Sequence, residues 1–330
     1  MSPSRSTIRA GIPEKNSALF HAIQFSVGDP VAFLEIGQDG ESPTTTCILR
    51  DVELDRALKQ VKADRIAVPA DFCPERGLSA DREVATAQAA AECLRRSGIT
   101  RVTADRTLPF SFAHVLREAG IDVICDLAFG VFERRQKSAD EIEKLRQAQS
   151  VTEEAVRMAC EMIARADVGE SGVLFHESKP LTSERVHAAV NVFLMERGFS
   201  GPEFIISGGS QGASCHHHGD GELRTGQPVI VDIFPTNQKT HYCGDCTRTV
   251  VHGDIPPEIS EMHAAVRAAK EAACAVIRPG VTGAEVHAAT VKALTDRGFN
   301  TGFPPEGAPL SYCTMHHGTG HGIGLDVHEP

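Results

Sequence analysis

Residues 228–251 read PVIVDIFPTNQKTHYCGDCTRTVV. Pro228-Val-Ile-Val-Asp232 is an apolar run that ends on a carboxylate, and Gly244-Asp245-Cys-Thr-Arg-Thr-Val-Val251 is a β-branched run that begins beside another. Residues 235–241 between them are rich in turn formers, so the two runs predict an antiparallel hairpin. That pairing makes Asp232 and Asp245 cross-strand neighbours on one face. Two carboxylates held so close raise each other's pKa unless a cation sits between them. The alternative is a solvated Asp beside a turn Asp, but apolar strands seldom carry buried acids without a partner. The pair is therefore expected to bind a divalent metal.

A second dense patch is His316-His317-Gly-Thr-Gly-His321-Gly-Ile-Gly-Leu-Asp-Val-His328-Glu-Pro330. The spacing of His317 and His321 suits a helical metal pair, but the glycines at 318, 320, 322 and 324 argue against a helix. An extended, glycine-lined segment is predicted, where metal or substrate can approach the backbone. Its imidazoles can bind metal, donate hydrogen bonds or carry a proton near neutral pH. Cys215-His216-His217-His218 is a weaker patch that also reads as an ordinary surface loop. Cys243 and Cys246 form a lone CxxC. With no second pair to complete four ligands, they read as small buried residues flanking Asp245 rather than as a zinc or redox pair.

An internal repeat organises the chain around these patches. Val186-His187-Ala188-Ala189 recurs as Val286-His287-Ala288-Ala289, and Leu194, Arg197, Gly198 and Phe199 recur as Leu294, Arg297, Gly298 and Phe299, all offset by 100. Self-similarity at a fixed offset means one supersecondary unit used twice. The unit predicted is a long helix, a short amphipathic helix and then strands, two copies packing about a pseudo-twofold axis with the strands inside. Ser138-Ala-Asp-Glu141 and Thr282-Gly-Ala-Glu285 are capping boxes. Helices are predicted from 138 to about 166 and over 183–197, 257–277 and 284–297, the last three closed by Gly198, Gly280 and Gly298. His187 and His287 read as helix-face residues of the duplicated scaffold rather than as ligands.

Ahead of this lies a region where short apolar runs alternate with helical patterns. Strands are predicted at 45–49, 65–68, 101–103 and 121–125 and helices at 80–96 and 110–119. Strand–helix alternation predicts a small α/β domain, with a boundary after residue 136. Nothing in it has the pattern of a phosphate loop or a catalytic cluster. The 330 residues, with 33 Lys and Arg against 44 Asp and Glu, have a formal net charge of −11. An acidic balance without a basic, aromatic-interleaved run excludes nucleic acid as a natural partner. No apolar run approaches the roughly 20 residues that cross a bilayer, and no apolar core follows the N-terminal residues as in a secretory signal. The cytoplasm is the expected location, consistent with ten scattered cysteines in reduced form.

Val-Asp232, Gly-Asp245-Cys-Thr-Arg248-Thr and His317-Gly-Thr-Gly-His321-Gly-Ile-Gly-Leu-Asp-Val-His328 together resemble the M24 "pita-bread" metallopeptidases, the group of aminopeptidase P, prolidase and methionine aminopeptidase. The resemblance covers about 138 to 330. It implies an α+β fold: a pita-bread catalytic domain over 137–330, preceded by a small creatinase-N-like α/β domain over 1–136. By the resemblance Asp232 binds one metal, Asp245 bridges two, and His321 binds the second. His317 and His328 orient the scissile peptide and stabilise the tetrahedral intermediate. The family's histidine ahead of the first aspartate falls on Cys215, so its assignment to His216 requires a one-residue shift. The Asp232–Asp245 spacing is two residues longer than the family's, a change that keeps both side chains on one face if it lies in the hairpin loop.

The activity implied is removal of the N-terminal residue from short peptides with a free N-terminus, the preceding domain favouring Xaa-Pro bonds. Two divalent ions, Mn²⁺ first and Co²⁺ or Zn²⁺ as alternatives, would share a bridging hydroxide. A homodimer is among the assemblies the resemblance allows. The family's ligand set has five members, the last two being glutamates on strands beyond the histidine motif, whereas this sequence ends nine residues after His321. Offsetting the aspartate hairpin by the repeat places its counterpart at 332–345, so the catalytic domain is expected to be incomplete at its C-terminus. An inactive pita-bread binding module and a creatinase-like hydrolase are the competing readings. The latter works without metal and would not be expected to keep both aspartates.

Overall fold

The computed structural model describes residues 6–37, 42–201, 203–309 and 312–329. Two compact units divide the chain, Met1–Ser138 and Ala139–Pro330.

The first unit is a six-stranded mixed sheet between two helical layers. Its strands are β1 (Thr7–Gly11), β2 (Val31–Ile36), β3 (Thr44–Ile48), β4 (Arg65–Ala67), β5 (Arg101–Ala104) and β6 (Asp122–Cys125), in the order β4-β3-β2-β1-β5-β6. The first three pair antiparallel, and β4, β5 and β6 join in parallel. Its helices are α1 (Ser17–Ile23), α2 (Leu54–Gln60), α3 (Arg82–Arg96), α4 (Phe110–Glu118) and α5 (Phe132–Arg135). Strand alternation sends Ile8, Ala10 and Leu34 to one face, against Ala87, Ala90 and Leu94 of α3 and Leu116 of α4. Phe33, Cys47 and Leu49 point the other way, to Leu19 and Ile23 of α1 and Ala57 of α2. The predicted strands and helices of this region all form, shifted by a residue or two.

The sequence expectation missed β1, β2, α1, α2 and the short α5. β1 carries Arg9 at a buried position, which breaks the apolar alternation. Arg9 is tolerated there because it pairs with Glu35 at 3.0 Å and lies over the Phe129 ring at 4.0 Å. Those partners sit 26 and 120 residues away, beyond the reach of a local pattern.

The second unit opens with the long helix α6 (Ala139–Ala164) and a small meander of β7 (Asp167–Val168), β8 (Leu174–His176) and β9 (Lys179–Pro180). Helix α7 (Ser183–Met195) and strand β10 (Phe199–Ser200) follow. β11 (Ile205–Gly208), β12 (Pro228–Ile233) and β14 (Cys246–Val251) form an antiparallel sheet with β12 in the centre, while β13 (Thr236–Asn237) pairs with β10. Then come α8 (Pro257–Val276), α9 (Gly283–Thr295), β15 (Asn300–Thr301) and β16 (Thr314–Met315). Helices α7 and α9 stand 100 residues apart, as the repeat predicts. Thr182 and Thr282 cap them, each hydroxyl accepting from the amide three residues on, and Glu285 completes the second box. After each helix a glycine takes the left-handed conformation, Gly198 at φ 74° and Gly298 at φ 82°. The two halves differ in what they bury. Val186, Val190, Leu194, Phe204, Val229 and Val231 belong to the large core of the first half. The second-half cluster is Ala265, Ala269, Ala293 and Leu294.

Candidate metal centre

The hairpin forms as predicted, with one correction to its register. Asp232 stands directly opposite Thr247, not Asp245. The pairing continues through the Thr236–Cys243 bridge, so Asp245 lies diagonally across from Asp232 on the same face. Thr247 Oγ1 donates to Asp232 Oδ1 at 2.6 Å. The chain turns back at Asn237, whose carboxamide oxygen accepts from the amides of Lys239 and Thr240.

Helix α6 holds Asp245 from behind. Gly244 packs so tightly on it that a Cβ there would sit 2.1 Å from Thr152 Oγ1 and 2.7 Å from the Ala148 carbonyl. The Asp245 amide then donates to Gln149 Oε1 at 3.1 Å. Cys243 and Cys246 are buried free thiols on either side, as the small-residue reading expects. Tyr242, fully buried, donates to Glu141 Oε1 at 2.9 Å. Thr247, Gln149 and Tyr242 were not singled out from the sequence. Their partners are fixed by packing, and although Tyr242 and Thr247 flank the Asp245 motif, Gln149 lies near none.

The glycine-rich patch is irregular rather than helical. Gly322 and Glu329 exchange backbone hydrogen bonds, forming a miniature antiparallel bridge that puts His321 and His328 on one side. Their ring centroids are 4.1 Å apart. Glu329 turns inward, where its carboxylate accepts from the Leu325 amide at 3.1 Å. The Cys243 amide donates to the Gly324 carbonyl at 2.8 Å, tying this patch to the aspartate hairpin. His321 Nε2 consequently reaches Asp245 Oδ2 at 3.4 Å.

Burial pushes the carboxyls of Asp232 and Asp245 above the ordinary range. On Asp232 the Thr247 hydroxyl opposes that push and the Asp245 charge adds to it, while the imidazoles of His321 and His328 pull both groups down. The structure thus brings together Asp232, Asp245, His321 and His328. His317 is exposed, with Nδ1 hydrogen-bonded to the Gly318 carbonyl at 2.8 Å. His216 is exposed in a tract anchored by its neighbours, the His217 carbonyl accepting from Ser207 Oγ. Neither makes a hydrogen bond or ion pair to the two aspartates or His321 among the described residues.

Two carboxylates and an imidazole are suitable donors for a divalent ion, and a cation would offset the burial that raises both aspartates. Among the described residues no three His, Cys, Asp or Glu side chains already converge around one point. The donor set fits a metal in kind, with Asp245 and His321 adjacent and Asp232 on the same face.

Known proteins resemble this chain in sequence and in fold. The family model described as Metallopeptidase family M24 matches residues 143–330. A "Probable dipeptidase PepE" of Mycobacterium bovis is 37% identical over 150 residues, 45% of this chain and 36% of that protein. An uncharacterized peptidase of Staphylococcus aureus is 26% identical over 197 residues, 59% of this chain and 49% of the other. The matched stretches therefore span half or less of these relatives' lengths. An Xaa-Pro dipeptidase from Bacillus anthracis superposes with a TM-score of 0.76 at 21% identity, covering 99% of this chain and 79% of that one. An X-Pro aminopeptidase from Thermotoga maritima gives 0.75 at 20%, covering 98% and 81%. These likenesses establish the α+β pita-bread fold. With more than half of its residues matched by the family model, the chain belongs to metallopeptidase family M24.

Proposed function

We propose that the protein is a metal-dependent aminopeptidase acting on short peptides, with Xaa-Pro bonds as its preferred substrates. The observation that carries the reading is Asp245 within 3.4 Å of His321, with Asp232 on the same strand face, in a member of this family. Asp232, Asp245 and His321 would hold divalent metal, Mn²⁺ first and Co²⁺ or Zn²⁺ as alternatives. Bound there, divalent metal supplies Lewis acidity and an activated water.

The remaining work falls to the protein. Thr247 fixes the Asp232 carboxylate, and Gln149 and the Gly244 contact fix the backbone of Asp245. In this reading His328, packed against His321, and the exposed His317 and His216 would donate hydrogen bonds to a peptide carbonyl and to the charge that develops on it. The names of the Bacillus, Thermotoga and Mycobacterium proteins support a short peptide as substrate. Ten free cysteines and the absence of any membrane-length apolar helix among the described residues support a cytoplasmic location.

A second reading, a pita-bread module that binds peptides without cleaving them, is favoured by the lack of a converged three-donor cluster among the described residues. Hydrolysis of Xaa-Pro peptides by the Mn²⁺-loaded chain separates the two. The peptidase reading predicts cleavage that chelation abolishes and metal restores. Peptide binding without turnover, or turnover indifferent to chelator, contradicts it.

A further inference from the structure

His187 and His287 hold the same position in the two repeated helices. Neither belongs to the buried stripe of its helix, which is Val186, Val190 and Leu194 in α7 and Thr290, Ala293 and Leu294 in α9. Both rings turn to the histidine-bearing loop of their own half. His187 Nε2 donates to the His218 carbonyl at 2.9 Å, at the end of the tract that carries His216. His287 Nδ1 and the Thr319 hydroxyl are hydrogen-bonded at 2.9 Å, and Thr319 lies midway between His317 and His321.

The second contact holds a stretch with few other restraints. From 316 to 321 the chain makes no backbone-to-backbone hydrogen bond among the described residues. Nδ1 of His317 and of His321 bonds to the carbonyl of the next residue, at 2.8 and 3.0 Å. Packing does not hold the middle either, since a Cβ added at Gly318 or Gly320 would meet nothing within 4 Å. The ends are tied by side chains: His316 stacks on Phe303, and His321 meets His328 and Asp245. Between them Thr319 is half-buried in a run that is otherwise exposed. Ordering such a segment costs backbone entropy, which a midpoint tie helps to offset.

We infer that His287 is a positioning residue, whose hydrogen bond to Thr319 fixes the 317–321 segment and so sets the His321 imidazole beside Asp245. His187 does the same for the 215–218 tract in the other half. The repeat thus duplicates a strut along with a helix. The role given to His321 rests on the metal-centre reading; the strut itself does not.

The test uses the 330-residue chain with His287→Ala, His287→Asn, Thr319→Val and the Ala/Val double variant. In the metal-free protein, backbone ¹⁵N order parameters at 318–320 should fall from about 0.85 to below about 0.6 in each single variant. The double variant should fall no further, and His287→Asn, whose amide can reach the same hydroxyl, should restore order. The melting midpoint should not move, because His287 lies outside the core. Cobalt(II) titration should show affinity weakened about tenfold in both single variants, the worth of one net hydrogen bond, and recovered in His287→Asn. Order parameters unchanged in both single variants, or cobalt affinity equal to wild type, overturn the positioning role. Order that falls while the wild-type chain takes up no cobalt leaves the strut standing and refutes the metal centre instead.

Discussion

The two halves of the second unit begin alike and finish differently. Each starts with a long helix, a threonine-capped 13-residue helix and a left-handed glycine. In the first half this leads to a three-stranded sheet whose central strand carries Asp232 and whose returning strand follows Asp245. In the second it leads to a two-residue bridge of β15 and β16 and then to the glycine-rich run of His317 and His321. The same scaffold therefore positions its candidate ligands by two means. The aspartates are set by a hydrogen-bonded ladder pressed on α6. The histidines are set by side-chain ties on a nearly ladder-free backbone.

The largest expected contrast is in packing. Leu194 and Leu294 are repeat mates, but Leu194 sits in the large core and Leu294 in a cluster of four. Leu194→Ala should cost about 2–5 kcal/mol, and Leu294→Ala should fall at or below the bottom of that range. Denaturant unfolding of the two variants checks this, and equal losses would erase the distinction between the halves.

Glycines sharpen the comparison next. Gly244→Ala forces a methyl into Thr152 and the Ala148 carbonyl and should cost about 1–3 kcal/mol while displacing Asp245. Gly318→Ala meets nothing and should stay within about 0.5 kcal/mol. A destabilised Gly318 variant would show that the histidine segment is packed after all.

The smallest effect concerns the caps. Glu285 accepts from the Thr282 amide at 2.8 Å, and that hydrogen bond holds its carboxyl below the usual value. A depressed folded pKa contributes stability that is present above the unfolded value of about 4.3 and is lost as pH falls through the folded one. The difference in melting temperature between wild type and Glu285→Ala should be full at neutral pH and should close on acidification. A gap that persists in acid would assign the effect to helix propensity instead of the carboxylate.

Much of this architecture was legible in the sequence because its signals are local or periodic. The 100-residue offset marks both helices, Thr282 and Glu285 mark a cap, and the two β-branched runs mark the hairpin. What escaped depends on residues distant in sequence. Arg9 conceals β1 until Glu35 and Phe129 are placed around it. The register that sets Thr247 opposite Asp232 depends on the turn at Asn237. Gln149 shows no sign of its bond to the Asp245 amide, because 96 residues separate them. The site itself was legible in part: the structure joins Asp232, Asp245, His321 and His328, but leaves His216 and His317 exposed and, among the described residues, without a hydrogen bond or ion pair to the aspartates.

The central claim is that Asp232, Asp245 and His321 act together as ligands for a divalent ion. Cobalt(II) titration of the 330-residue chain, followed by visible absorption, tests it most directly. The account predicts a saturable signal that Asp232→Ala, Asp245→Ala and His321→Ala each abolish or weaken at least tenfold. No saturable signal in the wild type, or one that survives loss of Asp245, would contradict it.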